Sequence, residues 1–157
     1  MDDLTHKNLE TTRGFNYSYY VKLSTTSKPN LLFAHGWPDS AHLWTAQIAH
    51  FLSLSYGCIA IDCLGYAGTS KPADPEAYNG EEMAGDVVEI LDAEGLDKVI
   101  LVGHDWGSLL IGKVGLWHPE RVFGSIFLVV ADRPPAPMDL DQFLVMIKKV
   151  MGYEAFS

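Results

Sequence analysis

At 157 residues the chain is long enough for one domain with a real core and short for two. Hydrophobic residues make up 48% and charged residues 20%, the balance of a soluble globular protein. A formal net charge of −9 argues against bulk attraction to nucleic acid or to an anionic membrane surface.

The opening "MDDLTHKNLE" is acidic and polar, unlike a secretory signal peptide. "FNYSYYVKLS" (15–24) is aromatic and β-branched with partial alternation, which predicts a strand with one exposed face. "SKPN" is a turn, and "LLFA" (31–34) is a short buried strand running into "HGWPDS". Residues 42–53 carry Leu43, Trp44, Ile48, Phe51 and Leu52 at helical spacing. "GCIAID" (57–62) is a second buried strand, and Asp62 at its end is placed to fix the loop that follows. The loop over 63–80 reads as a surface connection. Asn79 can cap the next helix, with Glu82 as capping-box partner, and that helix buries Met83, Val87, Ile90 and Leu91 before Gly95 stops it. "KVILVG" (98–103) is a third buried strand. "WGSLLIGKVGLWH" (106–118) is a helix closed by Pro119 and capped by His118, and "VFGSIFLVV" (122–130) is a fourth strand. Trp44, Trp117, Met83 and the phenylalanines are expected in the core.

Buried strands alternate with helices about every 30 residues. This predicts an α/β fold with a mostly parallel sheet and helices on both faces. Its active crevice should lie at the carboxyl ends of the strands, where "HGWP" and "GHDWGS" both fall. The longest uninterrupted apolar run, "IFLVVA" (126–131), is too short to span a bilayer. Cys58 and Cys63 are roughly 16 Å apart if extended, beyond disulfide reach. They read as free thiols in a reducing compartment, which suggests a cytoplasmic location. No C-x-x-C or H-x-x-x-H pair occurs, so no metal or other cofactor is expected.

Within "VILVGHDWGSLLIGKV" (99–114) a carboxylate sits at a glycine-flanked turn between two buried segments. Gly103-His104-Asp105-Trp106-Gly107 has the form G-x-Nu-x-G of a nucleophile elbow, with Asp in place of Ser. The turn from strand to helix is so sharp that side chains two positions either side would collide, and glycine removes the collision. Asp105 then stands exposed at a helix N-terminus, where negative charge is favoured. One oxyanion donor in this architecture is the backbone N–H after the nucleophile, here Trp106. The other comes from the loop after an earlier strand, here Trp37, with Pro38 rigidifying the turn.

"HGWPDSAHLW", "IDCLGYAGTSKP" and "GHDWGS" resemble motifs of the α/β-hydrolases of the epoxide hydrolase and haloalkane dehalogenase group, over about residues 10–130. The resemblance implies an α/β-hydrolase fold and an aspartate nucleophile, which sets the chain apart from serine esterases and lipases. Haloalkane dehalogenases usually carry Asn or Glu where Trp37 stands, and fluoroacetate dehalogenases usually carry Arg where Trp106 stands. Both departures favour epoxide hydrolase. The family mechanism implies that Asp105 attacks an epoxide carbon to form a hydroxyalkyl ester. Cap tyrosines donate to the epoxide oxygen as the ring opens, and a later His–acid pair then drives water onto the ester. The implied ligand is a small hydrophobic epoxide, with His35, Pro38, His104 and Tyr153 as residues lining its site.

None of the six histidines (His6, His35, His42, His50, His104, His118) occupies the late position that such a base needs. His104 either acts as a base or packs locally. "ADRPPAP" (131–137) reads as the exit from the core, which gives residues 1–131 as the N-terminal part of a hydrolase core. Residues 132–157 then form an exit loop and the start of a helical cap. Within them 138–153 is amphipathic, and Tyr153 is either a cap tyrosine or an ordinary packing tyrosine. The chain is thus expected to be truncated before the cap and the last strands, and catalytically incomplete alone. A dehalogenase relative and a non-catalytic small-molecule or protein binder are the rival readings. The last strand is expected to be an uncovered edge, contacting a second polypeptide that is either the rest of the enzyme or another copy.

Overall fold

The computed structural model describes residue 1 and residues 3–130. The expected domain boundary, the segment 138–153 and Tyr153 lie outside the described residues. Six strands form one sheet: β1 (Thr5–Glu10), β2 (Asn16–Lys22), β3 (Asn30–Ala34), β4 (Gly57–Ile61), β5 (Val99–His104) and β6 (Val122–Leu128). Their order across the sheet is β1-β2-β4-β3-β5-β6. The β4–β3, β3–β5 and β5–β6 pairs are parallel, while β1–β2 and β2–β4 are antiparallel. Helix α1 (Thr45–Ser53) lies on one face. Helices α2 (Gly80–Ala93) and α3 (Trp106–Trp117) lie on the other.

Strands β3 and β4 are apolar at nearly every position because both of their faces are covered. Leu31, Phe33 and Cys58 pack with Trp44 and Ile48 toward α1. Leu32, Ile59 and Ile61 pack with Val87, Ile90 and Ile111 toward α2 and α3. Asn79 caps α2 as expected, its Oδ1 accepting from the Glu81 and Glu82 amides at 2.9 and 3.3 Å. The capping box is only half closed, because the Glu82 carboxylate turns instead to Arg13 at 3.0 Å. Gly95 ends the turn after α2 at φ +67°.

Several expectations are corrected. The polar stretch near the N-terminus forms β1, whose outer position suits its charged residues. β2, held between β1 and β4, buries Tyr17, Tyr19 and Val21 on one face, while on the other Asn16 and Lys22 are exposed as expected but Ser18 is buried and Tyr20 half-buried. Residues 41–44 form a 3₁₀ turn ahead of α1, so the helical pattern there is split. Trp117 and Phe123 are 48% and 64% exposed and are not core. The connection at 63–80 is more than a surface loop: Cys63, Leu64 and Thr69 are buried. Asp62 anchors it, accepting from the Ala41 and Gly68 amides at 2.8 and 3.1 Å. Both cysteines are free and buried.

Buried polar groups tie the hairpin to α2. Asp86 is fully buried and its Oδ2 accepts from Arg13 Nη1 at 2.6 Å and from the Tyr17 hydroxyl at 2.9 Å. Burial is the largest influence on Asp86 and holds its carboxyl above the usual range, opposed by the Tyr17 and Arg13 contacts. A raised native value means that folding is favoured when the group is protonated and loses stability as pH rises through that value. Arg13→Met leaves the carboxylate buried without its cation, at an expected cost of about 3 kcal/mol. The native value then rises further, so the deficit against the parent should widen from mildly acidic to mildly alkaline buffer. Urea unfolding at both conditions measures it, and a deficit that ignores pH contradicts this account.

Close approach of α3 to β3 is what shapes the strand ends. A Cβ on Gly107 would fall on the Ala34 carbonyl, and one on Gly103 would lie 2.5 Å from the Gly107 carbonyl oxygen. These are backbone atoms and cannot swing aside. Gly107→Ala should therefore lower stability by about 1–3 kcal/mol or more. A shift in the urea midpoint checks this, and an unchanged midpoint would show that α3 has room to move.

Candidate active site

Asp105 stands between β5 and α3 at φ +53° and ψ −122°, backbone angles a non-glycine residue adopts only at a cost. Surrounding bonds hold it there. The Asp105 amide donates to the Leu128 carbonyl at 3.2 Å, and the Ser108 amide donates to the Asp105 carbonyl at 2.9 Å. The Ser108 hydroxyl reaches the Gly103 and Leu128 carbonyls at 2.8 and 3.1 Å. Ser108 thus joins β5, β6 and α3 beneath the turn, a role that its small size in the motif does not announce.

The upstream loop meets the carboxylate directly. The Trp37 amide donates to Asp105 Oδ1 at 3.0 Å across 68 residues of chain. Gly36 makes this approach geometrically open, because a Cβ there would overlap the Asp105 carboxylate. The Trp106 amide is the first of α3 and has no acceptor among the described residues. The side chains of Trp37 and Trp106 are both well exposed. Pro38 follows Trp37 through a cis peptide bond. One carboxylate oxygen is thus held by an amide, and a second amide lies one residue further along.

His35 does not reach the crevice. It is fully buried, its Nδ1 donating to the Gly36 carbonyl at 2.8 Å and its Nε2 accepting from the Cys63 amide at 3.0 Å. Both ring nitrogens are engaged in the neutral form, and burial pushes the ring's proton affinity down. Against the expectation that His35 lines the substrate site, its buried ring ties the Trp37 loop to the segment after β4. His104 is half-buried, and its Nδ1 has no partner among the described residues. Strand alternation places it on the face shared with Val102, toward α1.

Sequence reasoning missed the space beside the elbow. A cavity of about 460 Å³ is lined by Leu64, Tyr66, Tyr78, Met83, Trp106 and Leu109 among others. Trp106, Leu109, Leu110 and Lys113 stand at helical spacing in the sequence, but the facing residues of the 63–83 segment come from a tertiary contact that spacing does not reveal. Burial above all pushes the Tyr66 hydroxyl's proton affinity up, with nearby negative charge including Asp105 adding to it. Cys63 also lines the cavity, but burial pushes its thiol up to about 12, so it supplies no thiolate nucleophile at neutral pH. Among the described residues no group of three or more His, Cys, Asp or Glu could hold a metal ion. No described helix is long and apolar enough to cross a membrane.

A family profile described as alpha/beta hydrolase fold matches residues 29–154. Epoxide hydrolase 2 of Siraitia grosvenorii is 34% identical over 149 residues, which cover 94% of this chain and 46% of that protein. Epoxide hydrolase A of Mycobacterium tuberculosis is 34% identical over 116 residues, covering 74% of this chain and 36% of that one. Among solved structures, an epoxide hydrolase from Vigna radiata superposes with a TM-score of 0.82 at 28% identity, over 92% of this chain and 46% of that one. Epoxide Hydrolase A from Mycobacterium thermoresistibile gives 0.79 at 30% identity, over 98% and 47%. The chain spans about half the length of these relatives or less. Its strand order, its elbow and these likenesses agree, and the chain belongs to the α/β-hydrolase fold family, with epoxide hydrolases as relatives.

Proposed function

We propose that the chain carries the nucleophilic half of an epoxide-opening site. The observation that carries this reading is the Asp105 carboxylate on its strained elbow, with Oδ1 held by the Trp37 amide at 3.0 Å. Because Oδ1 is engaged, Oδ2 is the free nucleophile. Its attack on an epoxide carbon forms a C–O bond and breaks the ring C–O bond. The departing oxygen takes a proton from an acid, leaving a hydroxyalkyl ester with Oδ1 as its carbonyl oxygen. Water then attacks the ester carbon. Negative charge gathers on Oδ1, where the Trp37 and Trp106 amides stabilise it, and collapse releases a vicinal diol and restores the carboxylate.

The lining of the cavity suits a small hydrophobic epoxide. Two buried free thiols suit a reducing compartment, and the reading places the protein in the cytoplasm. Neither histidine of the two site motifs is placed as a base for the second step: His35 is fully engaged and His104 lies on the α1 face. The reading therefore takes that base, and the cover over β6, from polypeptide beyond the described residues. The same carboxylate could displace a halide, and halide release against diol formation separates the two reactions.

Asp105→Asn keeps the shape and removes the anion. Incubation with a reactive epoxide followed by intact-mass measurement should show one adduct on the parent chain and none on the variant. An adduct of equal yield on the Asn variant removes Asp105 from the role.

The 157-residue chain alone should stall at the ester, so the adduct rises to at most one equivalent and diol does not accumulate beyond it. Sustained diol production by the chain of verified mass would mean that one of its own groups activates water.

A further inference from the structure

The Trp37 amide that meets Asp105 belongs to the same peptide group as the Gly36 carbonyl. A peptide group is planar and trans, so its carbonyl and its N–H point in opposite directions and turn together. Whatever holds the Gly36 oxygen therefore aims the Trp37 N–H. Two donors hold that oxygen, His35 Nδ1 at 2.8 Å and the Asp39 amide at 3.0 Å. On the far side of the same peptide the Trp37 N–H reaches Asp105 Oδ1 at 3.0 Å.

His35 has partners that leave its ring one protonation pattern. The Gly36 carbonyl can only accept, so Nδ1 carries the proton. The Cys63 amide, 3.0 Å from Nε2, can only donate, so Nε2 is bare. The Cys63 thiol also donates to the His35 carbonyl at 3.3 Å, and the Tyr66 ring stands nearly perpendicular to the imidazole with centroids 5.2 Å apart. The ring is fully buried, and burial lowers its proton affinity more than the Gly36 bond and the Asp62 and Asp39 carboxylates raise it. A line of donors thus runs from the Cys63 amide through the imidazole and the Gly36–Trp37 peptide to the Asp105 carboxylate. Each bond in such a line polarises the next.

We propose that His35 is a positioning residue for the ester chemistry: as a neutral ring protonated at Nδ1, it turns the Gly36–Trp37 peptide so that its N–H addresses Asp105 Oδ1. The proposal rests on Asp105 as the nucleophile and concerns the step in which charge gathers on Oδ1. Hydroxylamine reads that step without a protein base. Added to the folded ester, it attacks the carbonyl carbon through nitrogen, and charge gathers on Oδ1. Collapse breaks the bond to the alkyl oxygen. The diol leaves with a proton from solvent, the nitrogen gives one up, and Asp105 remains as a hydroxamate. Followed by intact mass, this release should be about tenfold slower or more in His35→Phe, which keeps a buried ring and loses both nitrogens. His35→Gln carries one donor and one acceptor and should recover part of the loss. In urea all three chains should release the ester at one rate, which assigns the difference to the fold. Nitrogen NMR of the parent imidazole is the second reading and needs no variant, with a protonated Nδ1 and a bare Nε2 expected at neutral pH. Equal release from the folded parent and Phe chains, a Gln chain no faster than Phe, or an imidazole protonated at Nε2 overturns the proposal. A parent chain that forms no ester overturns the nucleophile reading and this proposal with it, so the two failures are told apart by whether the parent adduct forms.

Discussion

Backbone-to-backbone contact at the carboxyl end of β5 is the constraint on which the rest of the site depends. Helix α3 must begin within one residue of the strand, and it can do so only if it passes against β3 with no side chain between. Gly107 over Ala34 and Gly103 under Gly107 allow that passage. The consequence is a single residue, Asp105, forced to φ +53° and lifted clear of the sheet. Strain at that one position is offset by bonds from Ser108, Leu128 and the packed sheet below.

From that contact the electrostatics follow. Bringing α3 close to β3 also brings the loop after β3 over the elbow, so the Trp37 amide meets Asp105 Oδ1. Gly36 keeps the meeting free of a side chain, and His35 fixes the loop from below by bonding to both Gly36 and Cys63. The carboxylate is thereby made asymmetric, with one oxygen engaged and the other free. The proposed nucleophilic role of Asp105 rests on that asymmetry.

Much of this was legible in the sequence because it is local. Period-two and apolar runs located β3, β4, β5 and β6, and the spacing Gly103–Asp105–Gly107 located the elbow. What escaped depends on tertiary partners. β1 is polar because it is an edge, so hydrophobic patterning could not find it. The neighbours of β2 were equally hidden, since nothing within 15–24 says that a preceding polar segment will pair there. Trp117 was placed in the core by its size, yet its burial depends on what lies next to α3. His35 was grouped with residues lining the site by its place in the motif, whereas in the structure its ring is buried, bonded to the adjacent Gly36 carbonyl and to the distant Cys63 amide.

The central claim is that Asp105 is the atom donor of the new ester bond. Its most direct test is tandem mass spectrometry of the chain after reaction with an epoxide, with and without hydroxylamine, which cleaves esters and spares ethers and amines. The account predicts a hydroxyalkyl group on the peptide fragment at Asp105, lost on hydroxylamine treatment. A stable adduct on a cysteine or histidine, with Asp105 unmodified, would contradict it.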